Sequence, residues 1–154
     1  MDQKSAGLNF TIFFCQQLDA NQDINRRVLE KELGPRIRFF PLPCSGRIEP
    51  LHLLSALESG ADMVYLVTCP EGVCRYQEGN VRARKRLMYA QKLIEEIGLE
   101  RERLELVTTA DKDLLTIDGL TRGLILREAI VDPSPVRVKK HKGKYMDSYK
   151  GVRK

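Results

Sequence analysis

Residues 60–76 read G-A-D-M-V-Y-L-V-T-C-P-E-G-V-C-R-Y, and the reading of the whole chain turns on them. Met63 to Thr68 form a nearly unbroken apolar run, the pattern of a central parallel strand covered on both faces. Upstream, F-T-I-F-F (10–14) and R-I-R-F-F-P-L-P-C (36–44) read as two further strands, the second kept short by its prolines. Downstream, L-E-L-V-T-T (104–109) reads as a fourth.

Helical patterns separate these strands. D-I-N-R-R-V-L-E-K-E-L-G-P predicts a helix capped by Asp23, with Val28, Leu29 and Leu33 inward and Gly34-Pro35 as its stop. Glu49-Pro50 opens another, with Leu53, Leu54 and Leu57 on one face and Gly60 at its end. Over roughly 80–97, Ala83, Leu87, Ala90, Ile94 and Ile97 alternate at spacings of four and three, one apolar stripe ended by Gly98. A last helix, from about Asp111 to Ile130, turns Leu114, Ile117, Leu120 and Leu124 inward. Alternating strands and helices predict an α/β, flavodoxin-like three-layer domain with a four-stranded parallel sheet in the order 2-1-3-4. Residues 1–132 form this body, and 133–154 form an extended basic C-terminal arm.

The chain has 154 residues, enough for one domain with a real core, and its 42% apolar and 31% charged content suits a soluble body. No apolar run approaches the roughly 20 residues of a membrane span. The N-terminal segment lacks the apolar core of a secretory signal, so the expected location is cytoplasmic. The net charge of +5 is unevenly placed. Residues 133–154 carry eight Lys/Arg against Asp147 alone, which leaves the body at −2. The basic character therefore belongs to the arm, and the body offers no case for a nucleic-acid binder.

Every cysteine falls at a strand end. Cys15 follows the first strand, Cys44 ends the second, and Cys69 and Cys74 share the loop after the third. In a parallel sheet all these positions lie on one edge, where doubly wound folds bind ligands. Four thiolates brought together suit an iron–sulfur cluster or a tetrahedral zinc site. The paired C-x₂-C knuckles of zinc ribbons are absent, and a C-x₄-C pair with two distant single cysteines fits a [2Fe–2S] cluster better. Gly46 and Gly72 would let the backbone fold around such a ligand and aim N–H groups at sulfur, with Arg47 and Arg75 beside them. The plainer alternative is four small buried side chains at strand ends.

Cys69 to Arg75 also matches C-x₅-R, the phosphate loop of cysteine-dependent phosphatases, in which a thiolate attacks phosphorus. Against it stand Glu71 inside the cradle, Tyr76 where a Ser or Thr usually follows the arginine, and no evident acid-bearing loop. A cluster-free adapter that keeps the fold and docks larger subunits is a third reading.

C-S-G-R-I-E-P (44–50), G-A-D-M-V-Y-L-V-T-C-P-E-G-V-C-R-Y-Q-E-G-N (60–80), R-A-R-K-R (82–86) and L-I-E-E-I-G-L-E-R-E-R-L (93–104) closely resemble the iron–sulfur delta subunit of the methyl-viologen-reducing, F420-non-reducing hydrogenase. The likeness spans about residues 10–130. It implies one [2Fe–2S] cluster on Cys44, Cys69 and Cys74, with Cys15 standing where many members have a cysteine-rich segment. Members often have His at the place of Arg75. The resemblance further implies an electron-transfer subunit with no substrate chemistry of its own, in an obligate hetero-oligomer. Its partners would be a heterodisulfide-reductase A-like flavoprotein and a hydrogenase, formate dehydrogenase or other oxidoreductase, in complexes that perform electron bifurcation or confurcation.

Arg82, Arg84, Lys85 and Arg86 cluster near the start of the third helix, where the helix dipole disfavours cations. They read either as a solvated face or as contacts to an anionic cluster or acidic partner. In the arm, Lys139 and Lys140 precede Tyr145 and Tyr149, basic residues with aromatic anchors that suit docking on a neighbouring protein. His52 and His141 read as surface or packing residues rather than metal ligands.

Overall fold

The computed structural model describes residues 7–69, 78–108, 116–126 and 132–138. Strands β1 (Phe10–Cys15), β2 (Ile37–Leu42), β3 (Met63–Thr68) and β4 (Leu104–Thr108) pair in parallel in the order β2-β1-β3-β4. This is the sheet expected from the alternation of strands and helices. Helices α1 (Gln22–Leu33) and α4 (Ile117–Leu126) cover one face, and α2 (Pro50–Glu58) and α3 (Gly79–Glu96) cover the other.

The two-residue period of the strands sorts the core. Phe10, Ile12 and Phe14 of β1 and Met63, Tyr65 and Val67 of β3 pack with Leu29, Ile117 and Leu124. Phe13, Val64 and Leu66 turn the other way, onto α2 and α3. Every residue of β1 and β3 is buried, which is why both read as apolar runs rather than alternations. Ala83 and Ala90 sit among the buried residues of α3, where small side chains let a helix lie close to the sheet.

The helix stops are where the glycines mark them: Gly34, Gly60 and Gly98 take φ of 58°, 107° and 87°. Other expectations need correction. Asp23 does not cap α1; Asn21 holds that position, and Asp23 pairs with Arg26 at 2.9 Å within the first turns. Val28 is 45% exposed, because the sheet receives only the stripe through Leu29, about 100° further round the helix. Ile97 is 73% exposed; it has already left helical geometry at the C-cap of α3 and falls off the stripe. Leu114 and the flanks of the expected last helix lie outside the described residues.

Below the amino ends of the strands, a buried polar latch ties the chain together. The Asp62 carboxylate accepts the N–H groups of Asn9 and Ser134, each at 2.7 Å. Arg103, which is 1% exposed, donates to the Asp62 carbonyl at 3.2 Å, the Asp132 carbonyl at 2.9 Å and Glu100 Oε2 at 2.6 Å. Contacts with the body continue past 132 among the described residues. Ser134 is fully buried, and a one-turn helix α5 (Pro135–Val138) lies against α2. Among the described residues no helix is long and apolar enough to cross a membrane.

Candidate metal centre

Strand register brings three of the cysteines to one edge of the sheet. Cys15 is level with Leu42 of β2 and one residue beyond the Phe14–Val67 pair, hence level with Thr68 of β3. Cys44 lies two residues past that line and Cys69 one, offsets of about 7 Å and 3 Å along the strand direction. All three are buried, and none is in a disulfide. Cys74, Gly72 and Arg75 lie outside the described residues, as do Lys139, Lys140, Tyr145 and Tyr149.

The loop after β2 is built as a lid over this edge. Cys44 is the extended residue before a tight turn (Ser45–Arg47), and the Gly46 N–H points back at its sulfur at 3.4 Å. The turn rests on β1, β3 and α3 together. Strand alternation places Cys15 on the same face as Phe13, the face this loop covers.

Two glycines make the seat possible. A Cβ on Gly46 would stand 2.7 Å from the Cα of Gly79, so the two main chains touch with no side chain between them. Asn80, the next residue, donates from Nδ2 to the carbonyl of Cys69 at 3.5 Å. The Gly79-Asn80 pair thus joins the Cys44 loop to the chain leaving β3. The G-N dipeptide stands out in the sequence, but nothing in it shows this role.

Arg86 secures the same seat. Its Nη1 donates to the carbonyls of Gly46 at 2.7 Å and Ile48 at 2.8 Å and lies 3.4 Å from Glu49 Oε1. Glu49 and His52 form the capping box that starts α2, with the Glu49 N–H donating to His52 Nδ1 at 3.0 Å. Arg47, Arg82 and Arg86 line a polar cleft of about 490 Å³ that opens beside Cys44. Arg84 and Lys85 are exposed, and Arg82 is 3.8 Å from Glu78 across one turn. A second, more apolar cleft of about 470 Å³, between α2 and the β2 side of the sheet, reaches none of the cysteines.

On the other face of this edge, Asp19 ties α1 to α4. Its carboxylate accepts from the Asn21 N–H at 2.9 Å, Asn25 Nδ2 at 2.8 Å and the Ile117 N–H at 2.9 Å. Burial pulls the Asp19 carboxyl upward, but the bonds from Asn25, Ile117 and Asn21 together outweigh it and hold it below its ordinary value. A carboxylate depressed in the folded state stabilises the fold fully above its unfolded value of about 3.9 and loses that contribution as pH falls through the folded value. Denaturant midpoints measured from pH 6 to pH 2.5 should therefore fall more steeply below about pH 4 for the native chain than for Asp19→Asn. Parallel curves would show that Asp19 does not carry the acid sensitivity.

Among the described residues no three His, Cys, Asp or Glu side chains form a group able to hold a metal ion. The donor chemistry still suits an iron–sulfur group in kind: buried thiols at one edge, an N–H on sulfur, and a cleft lined by arginines. Residues 10–123 match the family described as methyl-viologen-reducing hydrogenase, delta subunit. The chain belongs to this family. It is similar to the iron-sulfur subunit of the F420-non-reducing hydrogenase of Archaeoglobus profundus, at 43% identity over 47% of this chain and 53% of the relative. The vhu iron-sulfur subunit of the F420-non-reducing hydrogenase of Methanocaldococcus jannaschii is 30% identical over 66% of this chain and 75% of its own length. A segment of the A-type subunit of the ferredoxin:CoB-CoM heterodisulfide reductase of Methanosarcina mazei is 43% identical over 44% of this chain, only 9% of that longer protein. The chain spans about half the length of several of the curated relatives it matches.

Proposed function

We propose that this delta-subunit family member is an electron-transfer subunit in which Cys15, Cys44, Cys69 and Cys74 hold one [2Fe–2S] cluster. The observation that carries this reading is the placement of three buried cysteines within two residues of one sheet edge. A [2Fe–2S] cluster takes four thiolates, so the C-x₄-C partner of Cys69 supplies the fourth. When bound, the cluster supplies one-electron transfer. The chain's part is to hold the thiolates, keep water from them, and direct the Gly46 N–H at the Cys44 sulfur to offset negative charge.

The proposed relay runs between an oxidoreductase partner and a heterodisulfide-reductase A-like flavoprotein, within a bifurcating or confurcating complex. Its support is the recurrence of part of this chain inside the A-type polypeptide of a heterodisulfide reductase, where the module and the larger protein are one chain. The exposed cations Arg47 and Arg82 beside Cys44, with the exposed Arg84 and Lys85 further along α3, suit an acidic docking partner.

Anaerobic purification with iron and sulfide analysis, followed by EPR of the reduced protein, tests the cluster. About two irons per chain and a reduced-state signal that disappears in Cys69→Ser are the expected result. Iron-free protein from a fully assembled complex would leave the adapter reading standing instead.

A further inference from the structure

Ser45 follows the Cys44 thiol directly, and it is 1% exposed. Its Oγ is shielded from solvent and has no hydrogen-bond partner among the described residues. A buried hydroxyl without a partner is costly, and such atoms in native proteins mark a ligand, an ion or a water that completes them. The turn that carries Ser45 is not loose: its main chain is pressed on Gly79, and the Gly46 carbonyl is held by Arg86. Relaxation of the loop therefore offers no easy partner.

We infer that the Ser45 hydroxyl donates a hydrogen bond to a sulfur of the cluster held at Cys44, and so sets its potential. This rests on the [2Fe–2S] reading above. The chemistry is directional. Reduction adds one electron, and part of the added charge falls on sulfur, so a donor there favours the reduced form and raises the potential. Ser45 is a tuning and positioning residue beside the Gly46 N–H, which already serves the Cys44 sulfur.

The test compares the full-length chain with Ser45→Ala, both purified anaerobically, by EPR-monitored redox titration and by melting after iron removal. The cluster-loaded variant should keep the native iron content. At a fixed poise its reduced-to-oxidised ratio should be about tenfold lower, a shift of about 59 mV for a one-electron couple. Pulsed EPR in D₂O should also show one fewer strongly coupled exchangeable deuteron. The iron-free variant should melt at or above the native chain, because only an orphaned hydroxyl has been deleted. An unchanged potential at native iron content, or an iron-free variant that melts lower or fails to fold, overturns the role of Ser45 and leaves the cluster in place. A native chain that binds no iron overturns both.

Discussion

Asp62→Ala should cost about 3 kcal/mol of stability. Asp62 is fully buried, and its carboxylate is the acceptor for two main-chain N–H groups that belong to opposite ends of the chain. Alanine leaves the amides of Asn9 and Ser134 without that acceptor, at about 1–3 kcal/mol each. For a chain of this size the melting temperature should fall by about 6–12 °C. Asp62→Asn should sit between, because an amide retains one acceptor oxygen. Hydrogen exchange gives the local readout: the amides of Asn9 and Ser134 should lose protection before the centre of the sheet does. A loss under about 1 kcal/mol, with both amides still protected, would show that the carboxylate is not the tie.

Gly46→Ala is expected to damage the cysteine edge itself. The new Cβ would lie 2.7 Å from Gly79 Cα and 3.1 Å from Gly79 O, and both obstacles are backbone atoms that cannot rotate aside. Overfilling of this kind costs about 1–3 kcal/mol. The strain cannot stay local, because Arg86 holds the carbonyls on either side of Arg47. The turn must lift from α3, and Cys44 moves with it. Reconstituted Gly46→Ala should retain its fold, lose about 2 kcal/mol and bind severalfold less iron. Gly123→Ala is the matched control, since a Cβ there meets nothing within 4 Å. Lying inside α4, it should raise stability by about 0.5–1 kcal/mol and leave iron binding unchanged. Equal iron content in the two variants would remove the close approach from the account of the site.

The parts of the molecule legible in its sequence are those written in a period. β1 and β3 announce themselves as apolar runs, α3 as a stripe of Ala83, Leu87, Ala90 and Ile94, and the sheet order follows from short crossovers. The placement of Cys15, Cys44 and Cys69 at strand ends follows from the same pattern. What escaped has no period. Asp62 looks like an ordinary turn residue ahead of a strand, and Ser134, between two prolines, looks like linker. Gly46 and Gly79 are separated by 33 positions, and their meeting depends on how a turn sits on a helix. Arg86 reads as one charge in a basic group, yet its guanidinium is turned onto two carbonyls. Val28 and Ile97 show the opposite failure: apolar residues near a stripe are easily counted as part of it when the helix presents only a narrow line inward.

The latch lies at the amino ends of the strands and the cysteines at the carboxyl ends, so the two are separated by the length of β3, about 20 Å. The chain passes Asp62 at Ser134, at the pole opposite the thiols. Substitutions at the two poles are too far apart to share partners, so their effects should add. A lesion in the latch then reads out in stability alone, and one in the Cys44 turn reads out in the geometry of the thiols.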